Sequence, residues 1–219
     1  IAESMGSTMF QGIYQGRPVT LKGALMDIAW IKDGRPDRAS LIKVVQFWDT
    51  AWSKNTRSDY TVGLTVGVDR GLNRYILDMV RFRTTSRLFS MERIKAACEK
   101  WRPSRIEVEQ TVKEGDMVEE LKRMYMIPVY ASTPQGKGDK VSKFGLPCAR
   151  AEAGRLYADR EAAWWPAMAH ELAGFPKGRH DDIADSLSGC VHMIAGVGAR
   201  MHEASSYKIL PRSSPGDRV

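Results

Sequence analysis

Residues 181–185 read Asp-Asp-Ile-Ala-Asp, directly after Phe175-Pro176-Lys177-Gly178-Arg179-His180, and they open an apolar periodic stretch. On a helix, Asp181 and Asp185 fall one turn apart on one face, with Asp182 beside them. Acids at a helix start gain about 0.3–1 kcal/mol from the helix dipole. Side by side, however, they repel one another, and a cation among them relieves the repulsion. Hard divalent cations such as Mg²⁺ and Mn²⁺ take oxygen ligands of this kind. The competing structural reading is a capped helix start with a solvated face. More acids stand elsewhere. Asp49 ends the apolar run Val44-Val45-Gln46-Phe47-Trp48, and Glu107 and Glu109 lie two apart in Arg105-Ile106-Glu107-Val108-Glu109. On a strand, residues two apart point to one face. A carboxylate in a central strand is costly unless it is paired or metal-bound. Taken singly, Asp49 reads as a strand-end Asx turn and the two glutamates as a polar sheet face. Taken together, the three groups lie on three elements that one mixed sheet can bring together. Carboxylates bridging two metal ions are a known solution for in-line phosphoryl chemistry.

The elements that must position these acids follow from hydrophobic period. Residues 1–40 carry Gly6, Gly12, Gly16, Pro18 and Gly23 without a clear period and read as an extended connector. Lys43–Asp49 reads as a strand, Ser53–Ser58 as a polar loop, and Tyr60–Val68 as a β-branched strand. Asp69-Arg70-Gly71-Leu72-Asn73 predicts a hairpin turn into a third strand, Arg74–Arg81. Leu88, Met91, Ile94, Ala97, Cys98 and Trp101 have helical spacing, stopped by Pro103. Arg105–Glu109 is a short strand and Gly115–Met126 a helix, its methionines read as core filling. Ile127–Tyr130 is a further strand, and the residues after Asp181 form the last core helix. A hairpin followed by βαβ units predicts an α/β fold: a mixed β-sheet with an antiparallel hairpin and helices on both faces. The sequence divides into the connector 1–40, a domain over 41–200 and a flexible tail over 201–219, rich in Ser and Pro near its end.

The chain has 219 residues, 43% hydrophobic and 27% charged, which suits one domain with a real core. No run of about 18 apolar residues occurs, so no membrane span is predicted. Ile1-Ala2-Glu3-Ser4 is not a signal peptide, and without an initiator Met the chain reads as part of something longer. Cys98, Cys148 and Cys190 are far apart and odd in number, so they read as reduced thiols in a cytosolic compartment. His170, His180 and His192 lack zinc spacing, and His180 could orient a phosphate or a ligand carboxylate. The net charge of +7, with acids gathered in one place, suggests a polyanion on the surface and a metal at the centre. Gly136-Lys137-Gly138-Asp139-Lys140 is not a Walker A loop, because Gly138 stands where Ser or Thr is needed. On charge alone the flexible basic segment Lys137, Lys140, Lys143 reads equally as a contact to a DNA backbone or as a solvated loop. Trp164-Trp165 reads as packing, since a duplex hides its bases from stacking.

Several of these runs, in order, resemble one family. Phe10-Gln11-Gly12-Ile13-Tyr14-Gln15-Gly16-Arg17-Pro18 is similar to a "YQQ-x-P" run, and Gly23-Ala24-Leu25 to an "EG-x-(L/F)" connector. Trp48-Asp49-Thr50-Ala51 with Ser58-Asp59-Tyr60-Thr61 resembles a first catalytic strand and its "(S/D)DYT" return. Glu109 resembles the second acid, and Lys140, Lys143 and Arg150 fit a "DK…R" segment. Glu171-Leu172, Phe175-Pro176 and 180–185 resemble an "EL…FP…HDD…D" block, the most specific of the set. Gly16 and Lys22 depart from the family's usual Gln and Glu, in the connector only. The family is the C-terminal nuclease domain of tailed-phage large terminases, with an RNase H-like fold. The resemblance implies a metal-dependent endonuclease cutting concatemeric double-stranded DNA with two Mg²⁺ or Mn²⁺ ions. It implies Asp49, Glu109 and Asp181 as catalytic ligands and Asp182 as a further metal ligand. Glu107, Asp185 and His180 stand as auxiliaries, and Lys137, Lys140, Lys143 and Arg150 as DNA contacts. It also implies an ATPase domain on the same polypeptide, a small terminase subunit and a portal as partners, and the host cytoplasm as location. Another RNase H-like enzyme, such as a resolvase or transposase, is disfavoured by the "YQ…P" run. A non-catalytic DNA-binding module is disfavoured by the intact acids.

Overall fold

A computed structural model describes residues 25–50, 60–109, 116–132 and 140–196. Strands β1 (Lys32–Asp33), β2 (Leu41–Asp49), β3 (Thr61–Asp69) and β4 (Arg74–Phe82) lead to helix α1 (Arg87–Trp101). Then come β5 (Arg105–Glu109), α2 (Met117–Tyr125), β6 (Val129–Ser132), α3 (Lys140–Glu152), β7 (Leu156–Ala158), α4 (Trp165–Gly174) and α5 (Asp182–Met193). The strands form one seven-stranded sheet in the order β1-β7-β4-β3-β2-β5-β6. β2, β3 and β4 are antiparallel neighbours, while β5 and β6 extend the sheet parallel to β2. This is the mixed sheet with an antiparallel hairpin that the sequence predicts.

Strand period sorts the side chains onto two faces. Trp48, Ile106, Val108 and Val129 pack with α1 and α2 in one core cluster. Val45, Phe47, Val62, Leu64 and Val66 pack with α3, α4 and α5 in the other. Helices therefore cover both faces. Because Ile106 and Val108 face α1 and α2, the alternating Glu107 and Glu109 must face the α5 side. The turn into β4 is held by Asp69, whose carboxylate accepts the Asn73 backbone N–H at 2.9 Å.

Three expectations need correction. Residues 25–40, read as the end of an extended connector, belong to the fold. Met26 and Ile31 are buried in the core, Leu25 N–H donates to Phe175 C=O, and β1 pairs with β7. Strands of two and three residues leave no periodic signal, which is why β1 and β7 were missed. The methionines of α2 divide: Met117 is buried, but Met124 is 51% and Met126 91% exposed. Met126 takes the left-handed conformation that ends the helix (φ 51), and this carries its side chain away from the sheet. The basic segment at 140–143 is not a loop but the first turn of α3. Lys137, the predicted loop Ser53–Ser58, the runs at 1–24 and the tail 201–219 lie outside the described residues.

Candidate active site at the ends of β2 and β5

The two sheet acids meet by register. β2 and β5 are parallel neighbours, with Asp49 directly opposite Glu109 at their carboxyl ends. Thr50 Oγ1 donates to the Glu109 carbonyl at 2.7 Å and locks the two strand ends together. Burial pushes the Asp49 carboxyl well above the usual carboxylate range, and the charges of Glu109, Asp185 and Asp182 push it further. Like charges bear on a half-buried carboxyl here, and a cation beside it would relieve the repulsion.

Helix α5 brings the other acids. Gly189 lets the helix lie close on β2: a Cβ there would come within 2.2 Å of the Phe47 ring. Ser186 Oγ donates to Val62 C=O at 3.2 Å, so the helix is also tied to β3. Asp181 occupies the N-cap position but makes no side-chain cap hydrogen bond. The reading of these acids as caps therefore fails for Asp181. That work is done by Glu171 of α4, only 6% exposed, whose Oε1 accepts the Ile183 N–H at 2.6 Å. Glu171 Oε2 also lies 3.1 Å from the Arg81 guanidinium. Burial raises the Glu171 pKa, with Arg81 and the Ile183 N–H opposing. In the sequence Glu171 stands only as part of the Glu171-Leu172 motif, with no capping role legible. Its signal was a carboxylate amid the apolar face of a helix.

With its cap supplied from outside, Asp181 is free to turn into the site. Lys140 Nζ lies 2.5 Å from Asp181 Oδ2 and 2.8 Å from Asp185 Oδ2. Burial pulls the Lys140 pKa down, but its hydrogen bonds to the two aspartates outweigh this and raise it. Burial raises Asp185, with Lys140 opposing. An ammonium thus stands among the acids as their counter-ion. Among the described residues no three His, Cys, Asp or Glu side chains are grouped closely enough to form a ready metal-ligand set. A cleft of ≈ 580 Å³ opens beside the acids, lined by Glu107, Glu109, Lys140, Lys143, Asp185 and His192 among others.

The sequence candidates separate accordingly. The charges of Glu109, Asp185 and Asp182 bear on Asp49, and Lys140 links Asp181 to Asp185. Glu107 lines the cleft but is paired with Arg105 at 2.7 Å. His180 packs edge-on against Tyr60, with ring centroids 5.5 Å apart. Lys143 lines the cleft, whereas Arg150 lies in the last turn of α3. Its guanidinium is held in a basic cluster with Arg74 and Arg155, away from the acids.

No curated protein matches the chain. Among solved structures, the large terminase nuclease of thermophilic phage G20c is similar at TM-score 0.54 and 16% identity, covering 78% of this chain and 98% of that one. The same nuclease with bound magnesium gives TM-score 0.53 and 16% identity, covering 78% and 97%. The nuclease domain of the large terminase subunit gp2 of bacterial virus Sf6 gives TM-score 0.53 and 10% identity, covering 77% and 98%. At such identities these likenesses speak for the fold. The family model for the terminase RNaseH-like domain matches residues 46–193, which span β2 to α5 and every acid of the site. The chain belongs to the terminase RNaseH-like domain family.

Proposed function

We propose that this chain is the nuclease part of a viral DNA-packaging terminase, cutting concatemeric double-stranded DNA with two Mg²⁺ or Mn²⁺ ions. The observation that carries this reading is the register of Asp49 against Glu109 beneath the helix acids at 181–185. The donor set fits a hard cation: it is all carboxylate, half-buried and mutually repelling, and an ammonium already stands in it. Asp49, Glu109, Asp181 and Asp182 would hold the ions. Asp185, expected as an auxiliary, is a further ligand candidate because it lines the cleft and shares Lys140 with Asp181. Bound ions would activate water and stabilise the leaving 3′ oxygen. In their absence Asp49 holds its proton above the usual range, and Lys140 balances Asp181 and Asp185. Lys143, exposed at the cleft, is placed to meet a phosphate.

An ATPase domain on the same polypeptide, a small terminase subunit, a portal and the host cytoplasm belong to the same reading. Among the described residues no helix is long and apolar enough to cross a membrane. Supercoiled plasmid tests the activity. Mg²⁺ or Mn²⁺ should yield nicked and linear forms with little sequence preference, and excess EDTA should stop cutting. Equal cutting in EDTA would refute the metal-dependent reading.

A further inference from the structure

The acids have a second basic flank, on the side away from β5. In sheet register, Glu109, Asp49, Val62 and Arg81 form one row across β5, β2, β3 and β4. At about 4.8 Å per strand, Arg81 lies roughly 10 Å from Asp49 along the row. Arg83, two residues on, shares its face. Both guanidiniums stack on the Tyr60 ring, each 3.9 Å from its centroid. Arg81 is committed inward, to Glu171. Arg83 is exposed, and among the described residues its contact is the Tyr60 ring. An exposed Arg usually loses several rotamers' worth of entropy on binding; one already laid on an aromatic face loses less.

We propose that Arg83, held on Tyr60, contacts the DNA phosphate backbone, so that the duplex spans the acids between Arg83 on one flank and Lys143 on the other. The proposal rests on the nuclease reading and adds a second bank to its DNA track. Nothing in the spacing of Arg81 and Arg83 marks them in the sequence. What singles Arg83 out is that the ring orients a guanidinium without neutralising it.

The test is binding of a labelled duplex in EDTA across a salt series, with plasmid cutting in Mn²⁺ measured on the same preparations. Arg83→Ala should weaken binding several-fold at low salt and flatten the log–log salt slope by about one unit. Arg83→Gln, which keeps the stem, should flatten it equally, and thermal melting should show both variants folded. Tyr60→Leu should weaken binding while keeping the slope, because the charge remains but is no longer held. If wild type binds and cuts while both Arg83 variants keep its slope and affinity, the Arg83 contact is overturned and the nuclease reading stands. If wild type neither binds nor cuts, both fall.

Discussion

At Asp49 burial and like charge act in the same direction. The side chain is half-buried at a strand end, faces Glu109 in register, and receives the charge of two helix aspartates. Its native pKa is therefore raised, while in the unfolded chain it titrates in the ordinary carboxylate range. Below that range both states are protonated and nothing is lost. As pH rises through it, the unfolded chain ionises first, so the native state loses stability up to its own raised pKa. Asn has the same shape and no proton to lose. In metal-free buffer Asp49→Asn should therefore melt higher than wild type. The gain should be small near about pH 4 and larger near about pH 8, at roughly 2–4 °C per kcal/mol for a domain of this size. Thermal melts at the two pH values check this, and a gain that shrinks with pH would contradict the charge argument. The place of Asp49 was legible in the sequence because an acid closing a largely apolar strand is conspicuous. The role of Glu171 was not, because a buried glutamate in a helix looks the same whether it caps a neighbour or serves nothing.

Helix α5 is the element that completes the site, and its seat depends on one missing methyl. At Gly189 an added Cβ would meet three atoms of the Phe47 ring at 2.2–2.6 Å. Gly→Ala inside a helix gains about 1 kcal/mol of propensity, whereas overpacking a core costs about 1–3 kcal/mol. A contact that close to a buried ring sets the cost at the upper end, so the clash wins. Gly189→Ala should lose about 1–2 kcal/mol net. Because the helix must lift from β2, it should also weaken Mn²⁺ binding although it touches no acid. A denaturant melt and a Mn²⁺ titration test the two halves, and unchanged metal affinity would show that the seat of α5 does not govern the site. The helix itself was readable from its period, as were the hairpin and the one-faced Glu107 and Glu109. The seat was not: sequence gives the faces of an element but not how near it lies to another. The same gap explains α3, where three lysines in a glycine-rich stretch suggested a loop. The lysines at 140 and 143 lie in its first turn, and Lys140 is turned into the acids rather than outward.

The molecule as a whole is basic, with a net charge of +7, yet Glu109, Asp182 and Asp185 all bear on the half-buried Asp49. The family was visible in the order of motifs, and the family match over 46–193 bears that out. The sequence did not show which acids face each other most closely, because strand register and helix placement decide that. On the proposed function, these acids hold a divalent cation in place of the Lys140 ammonium. Calorimetric titration of the metal-free protein with Mn²⁺ measures this most directly. Wild type should bind, Asp49→Asn should lose most of the binding, and Asp181→Asn and Asp185→Asn should each weaken it. Full wild-type affinity in all three variants would mean that the acids are not the ligands and that the metal, if bound, sits elsewhere.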